Sequence, residues 1–283
     1  MADEFKKPKS IDSQGGGDMQ AQRGEVVSND GGRGAAKDSV LVPSSWEVQE
    51  GGLERYVVSK QIVRMREPGL LSPDDLCEKR IIFPESPYRK SVERFRELRT
   101  KLLEISRGHN FALVVSSIVP GGGASFNAIN LAAAFAFDSS KTALLIDCNL
   151  RHPKLHSVFD LLPDRGVTDF LEDPDMDIST IIYPTGIRRL RLVPAGSQKE
   201  SASEYFTSFR MHQFLQTLRR RYPDRFIILD TPPILESPDA RILSEVCDYT
   251  LLIAPHGRVT ESQVVEAASA IPEAKLAGVV VNG

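Results

Sequence analysis

The sequence has few of the residues that stabilise small secreted proteins or bind structural metals. Its 283 residues include three cysteines, one tryptophan and five histidines. Cys77, Cys148 and Cys247 are widely separated and form no C-x-x-C pair, which excludes a disulfide framework as the basis of the fold. The histidines show no metal-ligand spacing with these cysteines, so a zinc site is not expected. A reducing compartment is the simplest interpretation.

Long hydrophobic runs and an excess of basic charge are also absent. The N-terminal stretch MADEFKKPKS lacks the apolar core of a secretory signal. The longest apolar runs, such as FALVV and TALLI, are far too short to cross a bilayer. A formal net charge of -3 gives no indication of a nucleic-acid partner. We therefore expect a cytoplasmic protein that reaches a membrane only through a partner.

The chain divides into three predicted parts. Residues 1–52 contain nine of the twenty glycines and only two aromatic residues. Such a stretch buries too little apolar surface to offset its ordering entropy, and we predict a disordered tail. Residues 53–87 are interrupted by four prolines and are predicted to form a linker or docking segment. Residues 88–283 have the regular pattern of one folded domain.

Six short apolar runs alternate with segments that are mostly long enough to form helices in this third part. The runs are FALVVSS, TALLIDC, LRLVPA, FIILDT, YTLLIAP and AGVVVN. Runs of this kind are typical of strands that are buried on both faces of a parallel sheet. We predict an α/β fold of the P-loop type, a doubly wound and mostly parallel sheet with helices on both faces. In such folds ligands bind at the carboxyl ends of the strands.

A glycine-rich turn follows the first predicted strand and precedes a helix, as in a phosphate loop. The predicted nucleotide-binding residues are Pro120, Gly121, Gly122, Gly123, Ala124 and Ser125. A phosphate loop normally ends in Gly-Lys-Ser/Thr, with the lysine on the phosphates and the hydroxyl on magnesium. Here Ala124 stands in place of the lysine, while Ser125 keeps the hydroxyl. A glycine-rich turn that never bound a nucleotide would show the same pattern.

Two other predicted strands end in an aspartate. Asp147 ends TALLID and Asp230 ends FIILD. Carboxylates at the ends of neighbouring strands, beside a phosphate loop, are placed to hold magnesium, so Ser125, Asp147 and Asp230 form the predicted metal site. The alternative is that both aspartates cap the turns that follow them. The three features together favour an ancestral nucleotide site.

From about residue 84 to the end, the sequence resembles the bacterial tyrosine kinases of capsule and exopolysaccharide synthesis, relatives of the septum-site and partition ATPases. The matching motifs are VSSIVPGGGAS, LLIDCNLRHPKLHSVF, GVTDFL, PAG at 194–196 and DTPP at 230–233. The resemblance implies ATP or ADP and magnesium as ligands. It also implies a separate integral membrane polysaccharide co-polymerase, or chain-length determinant protein, as the partner at the inner membrane.

Upstream of these motifs, Glu93, Arg96 and Arg99 form a Glu-x-x-Arg-x-x-Arg pattern, which mediates ring assembly in the family. The resemblance therefore implies a homo-oligomer with these residues at the subunit interface. Spacings of three place the residues on one helical face, which we expect to lie opposite the apolar stripe. An exposed face of ion pairs would show the same pattern.

The sequence departs from the family at positions that matter for phosphoryl transfer. Ala124 replaces the catalytic lysine, Asn149 replaces the second aspartate of the second acidic motif, and Phe126 is bulkier than the family residue. No tyrosine cluster precedes Gly283, the last residue. We expect a pseudokinase to which no catalytic residue is assigned, in which the acidic residues Asp147 and Asp230 are remnants. The alternatives are a kinase or ATPase that is active only with its membrane partner, and a positioning ATPase of the partition or septum-site type.

Overall fold

A computed structural model describes residues 69–199 and 202–283. The tail predicted for residues 1–52, and residues 53–68 of the predicted linker, lie outside the described residues. Within the described part, no helix combines the length and the apolar character needed to cross a membrane.

Seven strands of the described part form one sheet in the order β3-β4-β2-β5-β1-β6-β7. They are β1 (Ala112–Ser117), β2 (Thr142–Asp147), β3 (Tyr183–Pro184), β4 (Leu190–Val193), β5 (Arg225–Asp230), β6 (Tyr249–Pro255) and β7 (Leu276–Asn282). All neighbouring pairs are parallel except β3 and β4, which are antiparallel. The six apolar runs correspond to β1, β2, β4, β5, β6 and β7. Only the two-residue β3 has no counterpart among them.

Nine helices surround this sheet in the described residues. They are α1 (Pro73–Glu78), α2 (Arg89–Ile105), α3 (Ala124–Ala136), α4 (Leu155–Val158), α5 (Val167–Glu172), α6 (Ala202–Phe206), α7 (Phe209–Arg221), α8 (Asp239–Val246) and α9 (Glu261–Ser269). The segment from Ala202 to Arg221 divides at Ser208, whose side chain accepts a hydrogen bond from the backbone N–H of Met211. A serine cap of this kind begins a new helix, so α6 and α7 are separate.

The helices cover both faces of the sheet, which confirms the predicted doubly wound architecture. On β1, Leu113 and Val115 face a cluster built with α1, α2 and α3, whereas Ala112 and Val114 face a second cluster. The second cluster is built with α5, α6, α7, α8 and α9. Successive strand residues point to opposite faces, so a strand that is covered on both sides is apolar throughout.

The described half of the predicted docking segment packs against the domain. Ile81 and Ile82 are buried, at 3% and 4% exposure. The side chain of Asn130 on α3 accepts a hydrogen bond from the backbone N–H of Ile82 at 2.8 Å and donates one to the carbonyl of Arg80 at 3.2 Å. Asn130 is 1% exposed, and its bond to the N–H of Ile82 is buried. Residues 69–87 therefore contribute to the core that the helices form on this face.

Asn130→Ala is expected to lower the free energy of unfolding by about 1–2 kcal/mol, because it leaves the buried N–H of Ile82 without its partner and removes the bond to the carbonyl of Arg80. Urea-induced unfolding measures this loss. Limited trypsin digestion should show faster cleavage after Lys79 and Arg80, with cleavage after Arg107 as the internal control. Unchanged stability and unchanged cleavage would show that Asn130 does not hold the segment.

Candidate functional site

The turn between β1 and α3 has backbone angles that require glycine. Gly121 and Gly123 have φ angles of +65° and +91°, in the left-handed region that side chains disfavour. At Gly122 a Cβ atom would lie 2.7 Å from the Cβ of Ser117, which is too close. The three glycines are thus needed for this turn to pass tightly from the strand into the helix.

The four carbonyls of residues 120–123 each accept a hydrogen bond from a side chain. The carbonyl of Gly122 accepts from Asn282 Nδ2 at 3.0 Å, and that of Gly123 accepts from Asn127 Nδ2 at 2.9 Å. The carbonyls of Pro120 and Gly121 accept from one guanidinium, described below. The N–H groups of Gly123, Ala124 and Ser125, in contrast, have no partner among the described residues. Unpaired N–H groups at a helix N-terminus are the donors that bind phosphate in a phosphate loop.

Ala124 is the first residue of α3 and is only 7% exposed, as part of the cluster that α1, α2 and α3 form. Residues 116–127 contain neither lysine nor arginine. The Phe126 ring packs edge-on against Phe95 of α2, with centroids 6.2 Å apart, so the bulky residue joins α3 to α2. The turn itself therefore offers an anion dipoles and a hydroxyl, but no cation.

The structure brings Asp147 and Asp230 together beside this turn, at the carboxyl ends of β2 and β5. The two residues are directly opposite each other on β2 and β5, and Asp230 also pairs with Val115 of β1. Asp147 is fully buried and accepts three backbone N–H groups, from Asn149 at 3.1 Å and from Lys154 and Leu155 at 3.0 Å each. Asp147 therefore caps the turn that follows it, which was the alternative interpretation.

Asp230 has a different environment. Its Oδ1 atom is buried and lacks a hydrogen-bond partner among the described residues. The pKa of Asp230 is raised to about 8, chiefly by burial and also by the charge of Asp147, while a hydrogen bond with the Ser125 side chain opposes the rise. Burial also raises the pKa of Asp147, against the three N–H groups that lower it. Three backbone N–H groups stabilise the ionised form of Asp147, whereas Asp230 has no such donors in the described part of the chain, so burial favours the protonated form more strongly at Asp230.

The side chains at this end of the sheet can supply only some of the ligands that a magnesium ion needs. The Ser125 hydroxyl and the unpaired oxygen of Asp230 are hard oxygen donors of the kind magnesium prefers, whereas Asp147 is committed to backbone groups. No group of three or more histidine, cysteine or acidic side chains in the described part is arranged to hold a metal alone. A magnesium ion here would take its other ligands from phosphate and water, and the metal site stays a prediction.

Arg151 is engaged away from the turn. Its Nε atom lies 4.0 Å from Oδ2 of Asp239, a carboxylate that is fully buried at the start of α8. Ser203 donates to the other oxygen of Asp239 at 2.7 Å. Neither Arg151 Nε nor Asp239 Oδ2 has a hydrogen bond to a described residue. Arg151 is thus oriented by Asp239 and is not the basic group of the phosphate loop.

The guanidinium on the turn belongs to Arg258, which the sequence does not single out. Arg258 Nη2 donates to the carbonyl of Pro120 at 2.9 Å, and Nη1 donates to that of Gly121 at 3.1 Å. Arg258 follows β6, which pairs with β1, so the two strand ends are adjacent. No local pattern marks this residue, because the contact depends on the order of strands in the sheet. Asn282, at the end of β7, reaches the turn in the same way.

The structure corrects the expected placement of the Glu-x-x-Arg-x-x-Arg residues on α2. Arg99 donates to the carbonyl of Ala134 at 2.8 Å, and the Arg96 guanidinium lies 5.8 Å from the centre of the Phe137 ring. Both arginines are half-buried against α3 and its C-terminal end rather than opposite the apolar stripe. Side chains three residues apart on an α-helix point about 60° apart around its axis, so after two such steps Arg99 points away from Glu93. The subunit interface at Glu93, Arg96 and Arg99 stays a prediction.

The motifs GVTDFL and PAG support each other rather than the site. The N–H groups of Val167 and Thr168 donate to the carbonyls of Pro194 and Ala195 at 2.9 Å and 3.0 Å. Gly196, with φ of +82°, lies where any Cβ would meet the side chains of α5. These motifs hold α5 against the end of β4.

In sequence and in structure the chain is similar to bacterial tyrosine-protein kinases. The chain is 29% identical to tyrosine-protein kinase YwqD of Bacillus subtilis over 209 residues, 73% of this chain and 86% of that protein. It is also 29% identical to tyrosine-protein kinase wzc of Salmonella typhimurium, over 70% of this chain but only 27% of that longer protein. The solved BceF tyrosine kinase domain superposes with a TM-score of 0.61 at 28% identity, covering 81% of this chain and 89% of that domain. No protein-family model matches the chain.

Proposed function

Because its homologues are bacterial tyrosine-protein kinases, we propose that this protein is a tyrosine-kinase-like component of capsule or exopolysaccharide assembly that has lost phosphoryl transfer. It acts in the cytoplasm as a partner or regulator of a membrane-embedded polysaccharide co-polymerase. The fold and the phosphate-loop backbone support this proposal, since both are kept while charges of the site are missing. Nucleotide, if bound, serves structure or regulation.

The observation that carries the proposal is the buried methyl group of Ala124 at the start of α3. Catalysis of phosphoryl transfer consists mostly of positioning and of charge stabilisation at the transferring group. Removing one preorganised contact to that charge costs about 3 kcal/mol, or ~100-fold in rate. Arg258 contacts the turn through the carbonyls of Pro120 and Gly121 and does not occupy the position of the lysine, so we do not assign it the lysine's role at the transferring phosphate.

Asn149 adds to this loss. Its side-chain oxygen accepts a hydrogen bond from the backbone N–H of His152 at 3.2 Å, which is the contact of a turn-forming residue. A neutral amide in this role contributes less to magnesium binding than the family's aspartate. The acidic side of the site is thereby reduced to Asp230, since Asp147 caps the following turn.

The test is turnover by the purified full chain with ATP and magnesium. We expect ATP hydrolysis and phosphotyrosine at the level of an Asp230→Ala variant, both with and without the cytoplasmic tail of a candidate co-polymerase. Turnover by the chain alone that Asp230→Ala abolishes would overturn the loss of catalysis. Turnover that requires the tail would instead support a kinase activated by its partner. Failure of the tail to bind at all would overturn the proposed partnership.

A further inference from the structure

The loop that follows β6 places a positive charge against the phosphate-loop turn. Both terminal nitrogens of Arg258 donate to the turn, at 2.9 Å to Pro120 and 3.1 Å to Gly121. A Cβ built on Gly121 would lie 3.5 Å and 3.6 Å from the same two nitrogens, so the guanidinium packs directly on this glycine. The contact links positions 137 and 138 residues apart in the sequence.

This charge is not neutralised by a carboxylate. Arg258 forms no ion pair with an acidic residue in the part of the chain that the structure describes. A guanidinium has five N–H donors, and the two carbonyls of the turn use two of them. Three donors and the full charge stay available beside a turn that has no cation of its own.

We propose that Arg258 is the cation of this phosphate loop, and that it supports the binding of a nucleoside di- or triphosphate by a turn that lacks its lysine. The proposal relies on the proposed function only for the class of ligand. It assigns Arg258 a positioning role: the residue acts on bound phosphate through the turn, and it does not contact the transferring group.

The peptide groups of the turn carry the effect. The carbonyl of Pro120 shares a peptide group with the N–H of Gly121, which has no acceptor among the described residues. The carbonyl of Gly121 shares one with the N–H of Gly122, which already donates to the carbonyl of Val119 at 3.2 Å. The N–H of Gly121 is therefore the donor through which Arg258 acts on phosphate. A charge-assisted hydrogen bond to a carbonyl polarises its peptide group and strengthens the N–H on the other side. Asn282 and Asn127 hold the next two carbonyls without adding charge, so they fix the shape of the turn while Arg258 also supplies its potential.

The experiment is isothermal titration of the full chain with ADP and with ATP, each with and without magnesium, at low and at high salt. Arg258→Met is expected to weaken binding about tenfold and to make the affinity less dependent on salt, because screening acts on the charge. Arg258→Lys should recover part of the affinity and the salt dependence, since it keeps the charge but cannot bridge two carbonyls. Arg220→Met, at an exposed arginine on α7, is the matched control and should bind like the parent.

The outcomes separate this proposal from the proposed function. Equal binding by the parent and Arg258→Met would overturn the role of Arg258, as would equal weakening by the Met and Lys variants with unchanged salt dependence, which indicates a brace without an electrostatic role. Absence of binding of either nucleotide by the parent would also overturn it while leaving the pseudokinase proposal intact. ATP turnover by the parent would overturn the pseudokinase proposal alone. Circular dichroism checks that each variant folds.

Discussion

Ala124→Lys is expected to raise the affinity of the full chain for ATP by about 10- to 100-fold. The expectation follows from the free energy of a hydrogen bond to a charged group, about 1.5–3 kcal/mol. The substituted residue begins α3, directly after three glycines whose carbonyls already accept hydrogen bonds, so the backbone of the turn is held in place while the lysine side chain extends from the buried position. Isothermal titration with ATP and magnesium measures the change.

Ala124→Met is the matched control, because methionine has a similar length and no charge. It should leave ATP affinity unchanged or reduce it, and any loss of stability that it shows estimates the cost of filling the 7% exposed position. If Met and Lys change the affinity equally, the effect belongs to packing and the charge deficit of the turn is not what limits binding.

The rate of ATP hydrolysis is a second measurement on the same substitution. The lysine alone restores one of the two lost charges, so we expect ATP hydrolysis to become measurable mainly when Ala124→Lys is combined with Asn149→Asp. One preorganised charge contact accounts for ~100-fold in rate, and the gain should disappear on adding Asp230→Ala. A double variant that binds ATP tightly but never turns over would place the loss of catalysis elsewhere, for example at Asp147, whose oxygens are held by backbone groups.

The regular part of the fold is predictable from local sequence, because strands covered on both faces leave a distinct apolar signature. Each of the six apolar runs corresponds to a strand, and the alternation with helices gives the doubly wound arrangement. The break between α6 and α7 is not predictable in this way. The helical pattern runs on through Ser208, but the Ser208 side chain caps a new helix there. The two-residue β3 is too short to leave any signature.

The sequence predicts only those residues of the candidate site that lie at or just after the end of a predicted strand. Ser125, Asp147 and Asp230 meet because parallel strands end at one edge. Their different roles depend on which backbone N–H groups turn back towards each carboxylate, and no spacing in the sequence encodes that. Arg258 reaches the turn only because β6 lies beside β1. The positive charge beside the turn thus depends on the order of the strands in the sheet, which local sequence does not show.

Asp230→Asn is expected to stabilise the protein at pH 8 and to change its stability much less at pH 5. The pKa of Asp230 is raised from 3.8 to about 8 in the folded state, chiefly by burial. A carboxyl with a raised folded pKa stabilises the fold fully below its unfolded pKa and loses that contribution as the pH rises towards 8. The shift corresponds to a loss of about 5 kcal/mol at most between pH 4 and pH 8.

The asparagine removes the ionisation and keeps a polar group for the Ser125 hydrogen bond. With about 2–3 kcal/mol recovered at pH 8, the melting temperature should rise by about 5–10 °C. Thermal unfolding of the two proteins from pH 5 to pH 8 measures the difference, and Asp164→Asn, at an exposed position, is the control that should leave the curve unchanged. An Asp230→Asn variant that is less stable at pH 8, or that keeps the parent's pH dependence, would contradict the buried and unpaired state of Asp230.

A carboxylate that weakens its own fold at neutral pH is a poor structural residue. Asp147 on the neighbouring strand shows the alternative, because three backbone N–H groups stabilise its charge. Asp230 has an oxygen without a partner, beside a hydroxyl and a turn of unpaired N–H groups. At pH 8, where the proton is being lost, a bound cation would offset that cost, so magnesium with a nucleotide should stabilise the parent more than Asp230→Asn. Equal stabilisation of both would mean that the acidic remnant no longer takes part in binding.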